Sequence, residues 1–544
     1  MNERIEKLTL ELTNIRGIVG TKEENNVAEK VYEKFMEMDY FKKYPQYVKY
    51  VDAIDDSLGR KSVIAMVKGE KGSNNKTVIL IGHIDTVGIS DYGDLKEYAT
   101  KPLELAEKFK ERSLSEDVVK DLKSEEYLFG RGIFDMKCGV ATLMTLVEEI
   151  SDDVENFEGN IVFAAVCDEE GNSGGMLSVV PELVKLKEKE NFEYLAVLDT
   201  DYSAPRYEND NTRYVYVGTV GKLMPTFYIV GAETHGGDPF KGIDPNLISS
   251  AITSEIDFNT KYCDEAEGEV TVPPITLRQQ DLKPEYSVQT AKTSHLYFNY
   301  GTHISTPDEV MERVVKGADL AFQNVIDNLN KEYKKYCDLN KFLYEKLPWK
   351  SRVMSYDELY KKVKEERGEE VDKLIEDLNK ELLANPNVDD REFALKIVEG
   401  VHNMWSDKDP VVVVFFSPPY YPHIYVEGKS KLEENLLNVV KKTVKNIDSN
   451  YDIKVKKFYP YISDLSYAAA PREKEAIESL KNNMPGFGVK YKLPIKDLQE
   501  LNLPVVNIGP FGKDAHKFTE RLEKDYSFNV APKLVYNTII NLLK

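Results

Sequence analysis

The chain has 544 residues, a formal net charge of −21, and a composition that is 42% hydrophobic and 30% charged. This length predicts more than one domain, and the composition excludes collagen-like, low-complexity and wholly disordered chains. The negative charge argues against nucleic-acid and anionic-membrane partners. Four cysteines without a CxxC pair, charged first residues and the lack of a long apolar run predict a cytoplasmic protein without a membrane span.

The first part of the chain alternates strand-like and helical patterns. Short apolar runs predict buried strands at residues 77–82, 160–167 and 194–198. Apolar residues at helical spacing between Val140 and Ile150 predict a helix with a buried face, and residues 177–188 predict another. Apolar strands that alternate with helices indicate an α/β layer with a mostly parallel sheet.

The pattern changes near residue 214. Aromatic, half-alternating segments at 214–217, 226–230 and 295–300 predict an antiparallel sheet. Residues 306–402 are highly charged and helical, with capping boxes at their start and at Ser355, which predicts helices on a solvated face.

The last part of the chain returns to the α/β pattern. A buried strand at 411–416 is followed by a helix near 432–444 and a strand at 504–509. We therefore expect an α/β domain that is interrupted by a large insertion. The predicted bounds are 1–213 and 427–544 for the two segments of the α/β domain and 214–426 for the inserted domain.

Groups of polar residues follow the predicted strands, and each has an ordinary interpretation as a strand end, a helix N-cap or a solvated turn. They are His83 with Asp85, Asp135, the acidic run 168–170, Asp199 with Asp201, and Asp514 with His516. Sites in open parallel sheets form at the carboxyl ends of strands. Two histidines with several carboxylates at such ends suit a two-zinc hydrolase, in which a carboxylate bridges ions ~3.5–4 Å apart and a separate glutamate takes the proton from water.

Four of these stretches have the order and spacing of a known family. In residues 82–87, 130–139 and 168–171, and in His516, the chain resembles the M20 family of metallopeptidases and amidohydrolases. It is more closely similar to the arginine-utilisation (RocB-type) branch in residues 213–222, 461–464 and 507–517. The resemblance implies a zinc-peptidase-like α/β catalytic domain with an inserted α+β lid and dimerisation domain, which extra helices enlarge here.

The resemblance also implies a set of metal ligands. His83 and Asp201 would hold one ion, Glu170 and His516 the other, and Asp135 would bridge them. Asp199 points to the same side of the strand as Asp201, but Asp201 is preferred because it lies nearer the carboxyl end. The ions would be two divalent cations, with Zn²⁺ as the first choice and Mn²⁺ or Co²⁺ as alternatives.

Three further residues receive roles from the resemblance. Asp85 would orient His83, and Glu169 would be the general base. His235, in the inserted domain, would reach the active site of the partner subunit in a homodimer and stabilise the tetrahedral oxyanion. Without the resemblance, His235 is an ordinary turn histidine.

The predicted activity is hydrolysis of an amide bond in a small substrate of the dipeptide or N-acyl amino acid type, with arginine or amino-acid catabolism as a candidate role. One alternative is a serine hydrolase, because residues 171–175 fit G-x-S-x-G with Ser173 as nucleophile, and Asp464 and His516 could complete a triad. Against it, the acidic residues before Ser173 would repel an oxyanion. The other alternative is a non-catalytic metal-binding protein with the same fold, which would not need Glu169.

Overall fold

The computed structural model describes residues 1–72, 74–471 and 473–544. The chain forms two compact units. Unit 1 consists of Met1–Val220, Ile424–Ala470 and Pro494–Lys544. Unit 2 consists of Gly221–His423 and Pro471–Leu493.

The strands are numbered in chain order. They are β1 Val48–Asp52, β2 Lys61–Lys68, β3 Lys76–His83, β4 Tyr127–Phe129, β5 Asn160–Val166, β6 Glu193–Asp199, β7 Arg213–Thr219, β8 Gly221–Leu223, β9 Pro225–Val230, β10 Glu265–Ala266, β11 Glu269–Val270, β12 Ile275–Asp281, β13 Thr293–Thr302, β14 Val353–Ser355, β15 Val411–Phe416, β16 Ile424–Tyr425, β17 Ile453–Lys456, β18 Val505–Asn507, β19 Gly512–Lys513 and β20 Arg521–Glu523.

The helices are numbered in the same way. They are α1 Asn2–Thr13, α2 Glu24–Glu37, α3 Asp39–Lys43, α4 Pro102–Phe109, α5 Glu116–Ser124, α6 Cys138–Ser151, α7 Gly174–Glu190, α8 Pro245–Ile256, α9 Pro307–Asn340, α10 Tyr356–Arg367, α11 Glu370–Leu383, α12 Asp390–Met404, α13 Lys431–Asn446, α14 Lys474–Asn483, α15 Ile495–Leu501 and α16 Ala531–Leu543. Among these described helices, none combines the length and the apolarity that a bilayer crossing needs.

Unit 1 is built on a mixed sheet with a parallel centre. The strand order is β1-β2-β5-β3-β6-β18-β7-β16, and β17 pairs with β7. The central strands β5, β3, β6 and β18 are parallel, whereas the pairs toward both edges of this path are antiparallel. The predicted α/β class is therefore confirmed, and the parallel arrangement holds for the centre of the sheet.

The sheet is covered by helices that the apolar periodicity predicts. The segment between Val140 and Ile150 lies in α6, which contacts β2, β3 and β5 and is buried on nearly all sides. A helix that is apolar all round belongs in an interior, as α6 does. Residues 177–188 lie in α7, which contacts β2 and β5.

The boundaries of the units differ from the predicted domain bounds. Strand β7 lies in the sheet of unit 1, between β18 and β16, and each of its residues is buried. The aromatic alternation of β7 is compatible with either sheet. The sequence pattern alone therefore placed the domain boundary at residue 214, before most of β7, whereas the first segment of unit 1 ends at Val220. In the opposite sense, residues 471–493 belong to unit 2, where α14 packs against α9, α10 and β15.

Unit 2 contains the antiparallel sheet that the aromatic segments predict. Its strand order is β12-β13-β9-β15-β14, with β8 beside β13, and only the β14–β15 pair among these described strands is parallel. The capping boxes at Thr306 and Ser355 are present. The charged helices are not wholly solvated, however, because Leu359 of α10 and Val398 of α12 are fully buried in one core with Val413 of β15.

Candidate metal centre

Three adjacent parallel strands of unit 1 bring polar side chains to one edge of the sheet. Strand β3 ends at His83, β5 is followed by residues 168–170, and β6 is followed by Asp201. Because β5, β3 and β6 are neighbours, these side chains converge at their carboxyl ends, as sites in α/β sheets do. Asp135 comes from the irregular turn before α6, and His516 from the loop between β19 and β20.

The predicted ligands form three overlapping groups in which the candidate ligand atoms lie within 4.8 Å of one another. The groups are His83 with Asp135 and Asp201, His83 with Glu169 and Glu170, and Asp135 with Glu170 and His516. The structure thus brings together all five predicted metal ligands and the predicted general base.

Asp135 lies between the two histidines. Its Oδ1 is 3.0 Å from Nε2 of His83, and its Oδ2 is 3.0 Å from Nε2 of His516. Nε2 of His516 also lies 2.9 Å from Oε1 of Glu170. Each oxygen of one carboxylate therefore faces a different imidazole, which is the arrangement that a bridging carboxylate needs.

The carboxylates control the protonation of both histidines. Burial would lower the pKa of His83, but its hydrogen bond to Asp135 and the nearby carboxylate charges hold that pKa well above its ordinary value. Burial is likewise outweighed at His516, where Asp135 and Glu170 raise the pKa to about 10. Hydrogen bonds from His516 and His83 overcome the effect of burial on Asp135 and hold its pKa far below the ordinary value.

Negative charge is nevertheless in excess at this edge of the sheet. Burial, together with the charges of neighbouring carboxylates, raises the pKa of Glu169 and of Asp201 well above the usual range. Both side chains are buried, with 8% and 4% of their surface exposed. Crowded, buried carboxylates beside two imidazoles form an environment that favours divalent cations.

Asp85 supports the cluster in a way that differs from its predicted role. Its main-chain carbonyl oxygen lies 3.0 Å from Nδ1 of His83, whereas its carboxylate is 3.8 Å from the same atom. The carboxylate accepts the backbone N–H groups of Glu169 and Glu170, at 3.1 and 3.0 Å. The carbonyl can therefore hold a proton on Nδ1 and direct Nε2 to Asp135, while the carboxylate fixes the acidic turn.

Asp199 and Asp201 differ in their contacts. Oδ2 of Asp199 accepts a hydrogen bond of 2.9 Å from the hydroxyl of Ser463, and its Oδ1 accepts the N–H of Thr200. Asp201, by contrast, belongs to the group with His83 and Asp135. This supports the preference for Asp201 as a ligand.

The other predicted site residues lie outside the cluster. His235 is in an exposed turn of unit 2, where its Nδ1 accepts the N–H of Gly237 at 3.0 Å. Ser173 is fully buried, has a φ of 54° and directly precedes α7. His516 contacts Asp135 and Glu170 through Nε2, so the triad of the serine-hydrolase alternative is not assembled in this structure.

Sequence reasoning missed a buried pair that holds the loop before Asp135. Oε2 of Glu520 accepts from Nη1 of Arg131 at 2.6 Å, and its Oε1 accepts the N–H of Gly132 at 2.8 Å. Arg131 also donates to the carbonyl of Gly88. Arg131 lies in a stretch that the family resemblance includes, whereas Glu520 lies just beyond one. No local pattern connects residues so distant in the chain.

A second missed network holds the turn that carries Glu169. Oε2 of the fully buried Glu24 accepts the N–H of Asp168 at 2.9 Å, and Oε1 accepts from Nη1 of Arg60 at 3.1 Å. Arg60 also binds the carboxylate of Asp168, which has a φ of 65°. A lone glutamate in the first turn of α2 gives no sequence signal for this role.

Comparison with known proteins agrees with this geometry. The sequence model of the family described as "Peptidase family M20/M25/M40" matches residues 79–541 of the chain. Protein RocB of Bacillus subtilis strain 168 is 36% identical over 544 residues, which cover 100% of this chain and 95% of that protein. The protein YqjN of the same strain is 35% identical over 541 residues, which cover 99% of this chain and 96% of that one.

Solved structures share the fold. A tripeptidase from Staphylococcus aureus superposes with a TM-score of 0.54 and 14% identity, over 100% of this chain and 99% of that chain. The aminopeptidase PepT from Bacillus cereus gives a TM-score of 0.52, also at 14% identity, over 100% and 99% of the two chains.

The fold and the family match define a hydrolase of the metallopeptidase class. The chain belongs to peptidase family M20/M25/M40, and its full-length similarity to RocB confirms the resemblance to the RocB-type branch.

Proposed function

We propose that this enzyme cleaves an amide bond in a small substrate, a dipeptide or an N-acyl amino acid, with two divalent cations and Glu169 as general base. The observation that carries the proposal is the position of Asp135, whose two oxygens each face a different imidazole at 3.0 Å. A structural or mononuclear site does not need a carboxylate that is shared in this way.

The donor set fits the ions that the proposal requires. His83 and Asp201 would hold one cation, Glu170 and His516 the other, and Asp135 would bridge them. Imidazole nitrogens mixed with carboxylate oxygens suit Zn²⁺, and Mn²⁺ or Co²⁺ are also compatible with such donors. When bound, the ions would polarise the scissile carbonyl and make the attacking water more acidic.

Glu169 has the properties that proton transfer demands. Its backbone is fixed by the carboxylate of Asp85, and burial raises the pKa of its side chain above the usual range for a glutamate. A raised pKa makes the ionised carboxylate a stronger proton acceptor. Glu169 would accept a proton from the attacking water and return it to the nitrogen of the leaving amine.

Unit 1 would be the catalytic domain, and unit 2 the lid and dimerisation domain. We assign His235 the role of oxyanion donor in the active site of a twofold partner, because its position matches the family pattern and its side chain is exposed on unit 2. The resemblance to the arginine-utilisation branch supports a role in amino-acid catabolism, and the free cysteines support a cytoplasmic location.

Metal removal and a substrate screen test the proposal together. The purified full-length chain is stripped with a chelator, reloaded with Zn²⁺, Mn²⁺ or Co²⁺, and assayed on N-acyl amino acids and dipeptides. We expect hydrolysis and thermal stability to fall on stripping and to recover on reloading, because an ion that binds only the folded state stabilises it. Elemental analysis without metal, no thermal response to Zn²⁺ and labelling by a serine-directed fluorophosphonate would contradict the proposal.

A further inference from the structure

The loop that carries His516 has an unfavourable backbone conformation at two positions. Asp514 has a φ of 60° and His516 has a φ of 64°. Residues with a side chain rarely adopt this left-handed region, and they remain in it only where their surroundings hold them. The position of the imidazole therefore depends on contacts that restrain this loop.

The side chain of Arg521 supplies those contacts from the interior of unit 1. It is fully buried, and its Nη1 pairs with Oδ2 of Asp514 and donates to the carbonyl of Thr519 at 3.2 Å. Its other nitrogens bind helix α5, with Nε 2.7 Å from Oδ2 of Asp121 and Nη2 2.8 Å from Oδ2 of Asp117. One guanidinium thus joins three carboxylates from two parts of the chain.

Asp514 connects the side chain of Arg521 to the backbone of the loop. Its Oδ2 also accepts from the hydroxyl of Thr519 at 2.8 Å. Its main-chain carbonyl accepts the N–H of Lys517 at 3.0 Å, which closes the turn around His516. The carboxylate and the main-chain carbonyl of Asp514, which is itself one of the two strained residues, are therefore both occupied.

We infer that Arg521 is a positioning residue, which acts through Asp514 to hold His516 against Glu170 and Asp135 and so sets the affinity of one half of the metal centre. The inference rests on the proposed function for its metal readout. A lysine could not replace Arg521, because a single ammonium lacks the planar fork that reaches separate carboxylates at once. Residues that support metal ligands from outside typically change metal affinity by ~10–100-fold when they are lost.

The test compares Arg521→Lys with a matched variant, Arg352→Lys, in the full-length chain. Arg352 belongs to unit 2 and makes a two-pronged pair with Asp407, at 3.0 and 2.5 Å, so its replacement removes a similar fork from a pair that contains no candidate ligand. Amide hydrogen exchange of residues 512–520 is measured on metal-free protein, and Zn²⁺ and Co²⁺ are then titrated into each variant.

We expect Arg521→Lys alone to accelerate exchange in residues 512–520 and to weaken the binding of one of two ions ~10–100-fold, with the other unchanged. Unchanged exchange in this loop, equal weakening of both ions, or the same effects in Arg352→Lys would overturn the inference. If Arg521→Lys does not fold, Asp514→Asn, with Asp407→Asn as its control, removes the charge from the contact between Arg521 and the loop and leaves the contacts of Arg521 with α5 in place, so it must give the same selective result.

The two readouts keep the inference separate from the proposed function. A wild-type chain that binds neither Zn²⁺ nor Co²⁺ would refute the metal mechanism. The exchange measurement on metal-free protein would still decide whether Arg521 restrains the His516 loop.

Discussion

Histidines of the two units differ in their protonation, although burial acts on the pKa of each imidazole in the same direction. In unit 1, carboxylates overcome burial and raise the pKa of His516 to about 10. In unit 2, burial lowers the pKa of His295 and of His402 to about 4, and nearby lysine and arginine charges lower it further. The charges that the fold places around an imidazole therefore decide whether it is a candidate ligand or a neutral part of the core.

His402 illustrates the second case. Its ring lies 5.6 Å from Tyr228 and 6.3 Å from Trp405, and neither ring nitrogen has a hydrogen-bond partner among the described residues. His83 is just as buried, yet both of its ring nitrogens face oxygen atoms. Substitutions in the carboxylate-rich cluster of unit 1 should therefore affect catalysis. Substitutions of the neutral histidines in the core of unit 2 should instead affect stability at acid pH.

The largest effect should come from Glu169→Gln, which keeps the shape of the side chain but removes the proton acceptor. We expect turnover to fall by ~10²–10⁴, with metal content unchanged, because a positioned general base contributes that much. Steady-state kinetics and elemental analysis check the two parts. Glu170→Gln is the matched control and should reduce metal content; if instead Glu169→Gln emptied the site and Glu170→Gln left it full, the two roles would be reversed.

The next effect concerns His235, the exposed histidine of unit 2. His235→Ala should lower turnover by ~10²–10³, because a lost oxyanion donor costs about that much. When His235→Ala and Glu169→Gln subunits are mixed and allowed to exchange, activity should return, since a twofold mixed dimer has one site with both defects and one with neither. No recovery after verified exchange would mean that His235 does not act in a partner's site.

A smaller effect should follow from His402→Phe, which keeps an aromatic ring between Tyr228 and Trp405. The folded state holds His402 neutral with a pKa of about 4, whereas the unfolded state has the ordinary, higher value, so stability falls as the pH drops below the unfolded value. Between about pH 7.5 and about pH 5 the wild type should lose about 2 kcal/mol more than the variant. Denaturant unfolding at both pH values measures this difference, and equal losses would show that His402 is not the titrating group.

The smallest effect should come from an exposed ion pair of the charged helices. Lys361 lies 2.6 Å from Asp357 one turn earlier in α10, and 64% of its side chain is exposed. Lys361→Ala should change the free energy of unfolding by less than about 0.5 kcal/mol, because water screens such pairs. Denaturant unfolding measures this change. A change of several times that size would contradict the prediction that water screens this ion pair.

The sequence predicts that the cluster residues lie close together, because they occupy short local motifs at strand ends, and the structure brings them together. His83, Asp135 and Glu170 each follow an apolar run or a glycine-rich turn that is visible without any distant partner. Arg131–Glu520, Glu24–Arg60 and Asp514–Arg521 could not be predicted in this way, because a buried ion pair leaves no periodic pattern. The role of the Asp85 carbonyl was also invisible, since it depends on the backbone geometry of the strand end.

The limit of pattern reasoning is similar for the fold. Apolar alternation identified β7 as a strand but not the sheet to which it belongs. The charges of residues 306–402 predicted the capped helices but hid the buried faces of α10 and α12. In both cases the type of secondary structure was predicted correctly. The sequence did not show against which other elements the strand or the helices would pack.

The discontinuity of unit 1 has a consequence for biosynthesis. Unit 2 interrupts unit 1 after Val220, and His516 lies in the last segment of unit 1, just before strand β20, which pairs with β4. A ribosome, which adds ~5–20 residues per second, therefore makes all of unit 2, which ends at Leu493, before it supplies His516, the last candidate ligand. A nascent or prematurely terminated chain that ends before residue 516 lacks that candidate ligand, so under the proposed mechanism catalytic capacity would arise only late in translation.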